Sequence, residues 1–537
     1  MSLPDPRIEQ TLPRVLAKRV EQFGDKPWVV CGDKSWSYRE IDQQSGRLAA
    51  GLSRLGVKTG ETVLLMLPDD IEIIYCWCAL AKMGAIEVPV NTHLRGGVLN
   101  HLVDDSLATV CVIDARFIDR ILERDQFPTL ETLVVTGELS PEQRAAVDKR
   151  FRCIPLESCF DDQVFDPGDA APRFNDVGAV MYTSGTTGPS KGIIITHAHS
   201  YEYALAIVEN LQLTSADIYY NPLPLFHIAG QWAAVYASCI KGATVVLAQG
   251  FSASRFWDDV RRYQATTTFL LGAMANWLYQ LDAADNDRDN PMERMLVVPL
   301  LPDTEGFKQR FDVLVCAIWG STEVNCPSRS SFDLVDSKTC GYICEERYEL
   351  RIVDENDMEV PHGTPGEAVV RAKEPWITMA GYWNNAEATV KAWRNQWLHS
   401  GDMLMRDEAG NLYFMDRVKD SIRRSGENIS SMEVENEINA YEPVLECAVV
   451  PVDSEHTEQE VKAVLVLKDN AGPFDYEDFI RFLEPRMAYF MIPRYVEIVD
   501  ALPKTQTGKI QKFELRDQGN TDGTWDRMAA GVKLNRS

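Results

Sequence analysis

At 537 residues the chain exceeds one ordinary domain, and roughly 150 residues per domain sets an expectation of about three or four. Its 45% hydrophobic, 9% aromatic and 25% charged residues exclude a disordered, collagen-like or coiled-coil protein. The 54 lysines and arginines against 80 aspartates and glutamates leave a formal charge of -26, which argues against nucleic-acid binding or attachment to anionic membranes, so any anionic ligand requires local positive charge.

Along the chain, Ser37-x-x-Glu40 has the form of a capping box, and Ile41, Leu48, Leu52 and Leu55 follow at helical spacing up to Gly56. Residues 62–67, 86–90, 109–113, 133–135, 178–182 and 243–247 are short, β-rich and apolar, the pattern of strands buried on both faces. Helix-like stretches between them predict doubly wound, crossover-connected parallel sheets, an α/β fold class. The longest apolar segment, 71–90, is interrupted by Lys82 and Glu87, and the amino terminus lacks a basic region leading into an apolar run, so no membrane anchor or leader is expected. From about residue 340 the pattern turns to strands at 348–353, 366–371 and 411–416 joined by Gly, Asn and Asp turns, a β-rich subdomain over about 340–416. Residues 417–516 alternate again as a compact α+β unit, with helices at 431–439 and 476–483 and strands at 446–451 and 462–467. The division expected is therefore 1–416, 417–516 and a polar tail over 517–537. The 12 cysteines form no Cys-x-x-Cys pair, so neither a zinc site nor a disulfide framework is indicated and a reducing, cytoplasmic setting is the default. A homodimer is the default assembly.

The most informative segment is Thr183-Ser184-Gly185-Thr186-Thr187-Gly188-Pro189-Ser190-Lys191-Gly192, set between a strand and the β-branched run 193–196. Glycines admit backbone N–H groups to phosphate oxygens, hydroxyls donate to them, and a lysine adds a point charge, so the composition suits a polyphosphate. A Walker loop is excluded by spacing, because Lys191 lacks the Gly-Lys-Ser/Thr context and a strand follows where a helix should. The remaining reading is a plain polar hairpin.

This stretch resembles the phosphate-loop signature of the adenylate-forming superfamily of acyl-CoA synthetases, peptide-synthetase adenylation domains and luciferases. Further matches occur in the family's order between about residues 37 and 516. Trp319-Gly320-Ser321-Thr322-Glu323 is similar to the aromatic-Gly-x-Thr-Glu motif; the resemblance implies that Trp319 packs on adenine, Thr322 meets the α-phosphate and Glu323 helps hold magnesium. A hard cation bridging phosphates does favour a carboxylate. Trp397-Leu398-His399-Ser400-Gly401-Asp402 resembles the motif whose aspartate accepts both ribose hydroxyls, a match of an acceptor-only group to a diol. By the same resemblance Arg417 contacts ribose, Lys419 is a hinge, Gly426 borders a pantetheine tunnel, and Lys509 in Lys504-Thr505-Gln506-Thr507-Gly508-Lys509 is the lysine needed for adenylation. A cation delivered there would offset the charge that builds when a carboxylate attacks an anionic triphosphate. His227, in Pro224-Leu225-Phe226-His227, stands where the family borders its acyl pocket. Gly366-Glu367 and Gly381-Tyr382-Trp383 also match and read as structural.

Two departures stand out. The family's Gly-Gly-Ala-Pro turn is replaced here by Leu296-Val297-Val298-Pro299-Leu300-Leu301-Pro302, as in crotonobetaine/carnitine-type ligases, and Ser425 replaces the first of two glycines along the tunnel. The resemblance implies an AMP-forming ligase that joins a small-molecule carboxylic acid to coenzyme A, with ATP and Mg2+, through acyl-AMP, and with a mobile carboxyl-terminal domain. Transfer to a carrier protein, oxidation of the adenylate, and a non-catalytic nucleotide sensor are the alternatives. Intact Lys509, Glu323 and Asp402 weigh against the sensor, and the identity of the acid is not legible.

Overall fold

The computed structural model describes residues 6–166, 168, 171–183, 190–418, 420, 422–424, 427–454, 459–469, 471–504 and 510–534. Local signals act as the sequence predicts at the start. Ser37 caps the helix Tyr38–Arg54, its hydroxyl accepting the Glu40 N–H while Glu40 accepts the Ser37 N–H, a reciprocal capping box.

Two large sheets follow. One is eight-stranded, in the order Gly381–Tyr382, Lys191–Thr196, Val177–Thr183, Ile86–Pro89, Thr62–Met66, Val110–Asp114, Thr132–Thr136, Arg152–Pro155. The other is seven-stranded, from Leu314–Cys316 through Arg294–Val298, Thr267–Leu271, Ile218–Asn221 and Thr244–Leu247 to Pro27–Cys31 and Lys34–Ser37. From Val177–Thr183 to Arg152–Pro155 in the first sheet, and from Leu314–Cys316 to Pro27–Cys31 in the second, the pairings are parallel. Thr62–Met66 is buried at every position, as a central strand covered on both faces must be. The core between the sheets includes the helix Ile71–Met83, buried almost all round; the apolar stretch 71–90 is thus a core helix and a strand. Among the described residues no helix is long and apolar enough to cross a membrane.

The β-rich region forms a six-stranded sheet, Ser328–Arg329, Thr339–Ile343, Asn411–Arg417, Leu398–Arg406, Gly366–Ala372, Tyr348–Val353. Beyond it, Val444–Asp453, Gln459–Leu467, Tyr495–Ile498 and Trp525–Asp526 make a four-stranded sheet with its own apolar core, packed by the helices Ser431–Asn439 and Tyr476–Leu483. Within 517–537, the stretch expected as a polar tail, a short strand joins this sheet. Trp525–Asp526 pairs antiparallel with Tyr495–Ile498, the Trp525 ring stacks 4.8 Å from Tyr476, and Arg494 holds Asp526 at 3.1 Å. A two-residue edge strand carries no alternation for sequence periodicity to detect. All 12 cysteines lie in described residues and carry free thiols.

Candidate active site

Strands Val177–Thr183 and Lys191–Thr196 form an antiparallel hairpin at the edge of the eight-stranded sheet, with Thr183 opposite Lys191. Ser184, Gly185, Thr186, Thr187 and Gly188 lie outside the described residues. The stem is braced from the helix Gly96–Ser106: Tyr182 donates its hydroxyl to Asp105 Oδ2 at 2.6 Å, the Trp383 indole N–H reaches the Asp105 carbonyl at 3.0 Å, and His101 Nε2 donates to the Ser190 carbonyl at 3.0 Å. Gly192 is required by proximity, because a Cβ there would stand 2.6 Å from Val180 Cγ1. Its carbonyl accepts the Trp383 N–H at 2.7 Å, so Gly381–Tyr382 becomes an added strand beside the hairpin.

That strand delivers Tyr382 to two groups. Lys191 Nζ lies 4.9 Å over its ring, and its hydroxyl stands 3.5 Å from Glu323 Oε1. Burial, with the Glu323 charge nearby, pushes the Tyr382 phenol well above its usual range, so it acts as a donor. Glu323 also accepts the Ser321 hydroxyl at 3.0 Å, and its carbonyl takes the Met379 N–H at 2.9 Å. The turn itself is tight. Ser321 and Asn325 exchange both backbone hydrogen bonds at 3.0 Å, a Cβ on Gly320 would sit 2.1 Å from the Asn325 carbonyl oxygen, and Thr322 is buried. Asn325, at φ +69°, ties the turn to the carbonyls of His199 and Ile377 through its amide.

Asp402 is 2% exposed on the strand Leu398–Arg406, directly opposite Arg417 in register. Its Oδ1 lies 2.9 Å from Arg417 Nε, and its Oδ2 accepts the Trp319 indole N–H at 2.9 Å. The preceding turn is pinned by Glu367, which accepts from Gly401 N–H at 3.1 Å and pairs with His399 Nδ1 at 2.9 Å. Burial raises the Glu367 carboxyl, but His399, the Gly401 N–H and Arg394 outweigh it and hold the group below its ordinary range.

His227 caps the short turn Ile228–Gly230, its Nδ1 accepting the Ala229 N–H at 3.2 Å. The loop ahead of it is held by Asp69, which accepts the Leu225 N–H at 2.7 Å and whose carboxyl burial lifts to about 6. A π-helical turn, Gln231–Tyr236, follows, and Gln231 donates to the buried Glu87 at 3.0 Å. Leu296 and Val297 lie in the strand Arg294–Val298 and are core, as are Trp232 and Trp257, whereas Trp277 is exposed.

At the domain junction Asp416 Oδ2 accepts the Ser431 N–H at 2.6 Å and its hydroxyl at 2.5 Å, Lys512 bonds that hydroxyl and pairs with Glu435 at 2.8 Å, and Arg516 pairs with Asp420. Lys419, Gly426 and Lys509 lie outside the described residues. The motif residues thus assemble as two groups, Lys191 and Glu323 at Tyr382, with Thr183 opposite Lys191, and Trp319 and Arg417 at Asp402, joined by the segment that carries both Trp319 and Glu323. Sequence reasoning missed Tyr382, Asp105 and Asn325 as site builders. The signal for Tyr382 was the Gly-Tyr-Trp match, which read as structural.

Among the described residues no three carboxylate, His or Cys groups cluster as a metal cage. A lone carboxylate is nonetheless what Mg2+ uses when substrate phosphates and water complete its shell, so Glu323 fits a metal that arrives with a nucleotide.

A hydroxyl-bearing hairpin at one side of the eight-stranded sheet, a carboxylate beside it, and a buried aspartate paired with arginine in the six-stranded sheet, followed by a separate α+β unit, are the arrangement of a nucleotide-activating enzyme. Residues 16–383 match the family described as AMP-binding enzyme and residues 433–509 its AMP-binding enzyme C-terminal domain, and the chain belongs to that family. It is 31% identical over 507 residues to a crotonobetaine/carnitine–CoA ligase of Salmonella agona (strain SL483), spanning 92% of this chain and 96% of that protein. An Escherichia coli O17:K52:H18 protein of the same name is 30% identical over 512 residues, with the same shares of each chain. Among solved structures it is similar to the anthranilate CoA ligase AuaEII in complex with anthranoyl-AMP, with TM-score 0.84, 25% identity and coverage of 97% of this chain and 98% of that one. A benzoate CoA ligase from Burkholderia xenovorans LB400 shares the fold at TM-score 0.82 and 24% identity, over 94% of this chain and 99% of that one.

Proposed function

We propose that this AMP-binding enzyme is an AMP-forming acyl-CoA ligase, and that the observation carrying the reading is the meeting of Lys191, Tyr382 and Glu323 at the mouth of the hydroxyl-rich hairpin. The substrate carboxylate attacks the α-phosphate of ATP, an oxygen–phosphorus bond forms as the bond to pyrophosphate breaks, and acyl-AMP results. The thiol of coenzyme A then attacks the acyl carbon and AMP leaves. Glu323, together with substrate phosphates, would hold Mg2+, which would supply charge neutralisation at the α-phosphate.

Each chain residue has a part in this reading. Thr183 to Gly188 and Lys191 hold the phosphates; Gly320, Ser321 and Thr322 shape the turn that faces them. Asp402 accepts the ribose hydroxyls and Arg417 supports it. His227 borders the acid. Lys509 neutralises charge in the first step and leaves when the domain that begins near residue 417 turns about Lys419, opening a path past Gly426 for the thiol, a two-state domain motion. The likeness of this chain to CoA ligases over almost its whole length supports coenzyme A as the acceptor.

Lys509→Ala tests the assignment by separating the half-reactions. Carboxylate-dependent pyrophosphate release should fall by at least about a hundredfold, the scale for a charge-stabilising group, while thioester formation from supplied acyl-AMP largely persists. If both half-reactions run unchanged, the reading is wrong. A panel of betaines, short and medium fatty acids, aryl acids and steroid or terpenoid side-chain acids, scored by AMP release with coenzyme A, identifies the substrate class.

A further inference from the structure

Trp319 is 4% exposed. Its indole N–H, a donor-only group, points at Asp402 Oδ2 from 2.9 Å, and both partners are buried. Its backbone is locked in turn: the Trp319 N–H donates to Ser328 Oγ at 2.8 Å, and that hydroxyl donates to the Cys340 carbonyl at 2.7 Å. Trp319 therefore stands rigidly on one side of the Asp402 carboxylate while Arg417 Nε stands on the other.

Rotation of an aspartate carboxylate about its last torsion is broad and roughly two-fold, so nothing in Asp402 itself selects a plane. The indole N–H does. With Oδ2 held by the indole and the Arg417 cation beside Oδ1, the carboxylate keeps one orientation, the condition for accepting two hydroxyls of one sugar together.

We propose that Trp319 is a positioning residue for sugar recognition, its indole N–H orienting the Asp402 carboxylate for a cis-diol, so that ribose is selected over deoxyribose through this hydrogen bond. The inference rests on the reading of Asp402 as the sugar acceptor, and the experiment separates the two.

Dissociation constants for ATP, 2′-deoxy-ATP and 3′-deoxy-ATP are measured by calorimetry with Mg2+ on the full chain, for wild type, Asp402→Ala, Trp319→Phe and the double variant. Asp402→Ala should bring the three nucleotides to similar affinities. Trp319→Phe, which keeps a ring but loses the donor, should weaken ATP by roughly tenfold or more, the worth of a hydrogen bond to a charged group, while weakening the deoxynucleotides less. In the double variant the Phe substitution should add nothing to the discrimination already lost. If Asp402→Ala leaves the preference for ribose intact, the reading of the site fails. If Asp402→Ala removes it but Trp319→Phe preserves it, or weakens all three nucleotides equally, the positioning role is overturned. Should the phenylalanine variant not fold, Trp319→Met carries the same comparison.

Discussion

Asp402 and Arg417 face each other across adjacent antiparallel strands, with Nε 2.9 Å from Oδ1, on the last strand before the chain enters the carboxyl-terminal unit. The pair is asymmetric. The Asp402 side chain is 3% exposed and the Arg417 side chain 44%, so the carboxylate is part of the interior while the guanidinium opens to solvent.

Arg417→Ala should affect both binding and stability. The variant leaves the buried Asp402 carboxylate with one cation fewer, so stability should fall by about 1 to 3 kcal/mol and the melting temperature with it. Loss of the cation beside the carboxylate proposed to take the sugar should raise the KM for ATP by roughly tenfold, with a smaller change in kcat. Initial rates of pyrophosphate release against ATP concentration, alongside thermal melts, check both halves.

Tyr382→Phe removes the hydroxyl beside Glu323 but keeps the ring under Lys191. The Mg2+ concentration for half-maximal activity should rise a few-fold, about the worth of one hydrogen bond, while phosphate affinity holds. Tyr382→Ala removes the ring as well and should weaken ATP binding further. An unchanged Mg2+ titration in the Phe variant would separate Tyr382 from the metal role proposed for Glu323.

The buried Glu87 offers a pH test. Burial drives its carboxyl up to about 8, with the Gln231 hydrogen bond pulling the other way. Between the ordinary carboxylate range and about 8 the folded state therefore binds more protons than the unfolded one, so this group makes stability fall as pH rises through that window. Each unit of displacement corresponds to about 1.4 kcal/mol. Glu87→Gln has no charge to bury, so it should match wild type near pH 5 and exceed it by an order of a few kcal/mol at pH 9 in urea unfolding. Parallel pH profiles for the two proteins would defeat this account.

Gly320→Ala would place a methyl 2.1 Å from the Asn325 carbonyl oxygen, against backbone that cannot move aside without opening the Ser321 and Asn325 bridge. Displacing that bridge shifts Glu323 and Trp319 together. Pyrophosphate release should drop by more than about tenfold and stability by about 1 to 3 kcal/mol, the range for local backbone strain. Circular dichroism melts and steady-state rates suffice to check it.

Much of the fold was legible because its signals are local. The capping box at Ser37 and Glu40 spans three residues, the buried strands are short runs of apolar β-formers, and the hydroxyl hairpin is closed by Thr183 and Lys191 eight positions apart. The short edge strand Trp525–Asp526 was not legible, since its stability comes from Tyr476 and Arg494 rather than from its own residues.

By itself the sequence determined which chemistry the chain carries: hydroxyls, glycines and a lysine in one loop, and a carboxylate in each of two further motifs, in a fixed order. It could not determine which groups meet, because that is settled by sheet register and packing between distant segments. Trp319 reaches Asp402 across 83 positions, Tyr382 reaches Glu323 across 59, and Trp383 reaches Asp105 across 278. Only the added strand Gly381–Tyr382 brings an aromatic to both Lys191 and Glu323, and only the pairing of Leu398–Arg406 with Asn411–Arg417 sets a guanidinium opposite Asp402. The physical reason is that hydrogen-bonding side chains carry no address in the sequence. The address is supplied when buried strands choose their neighbours.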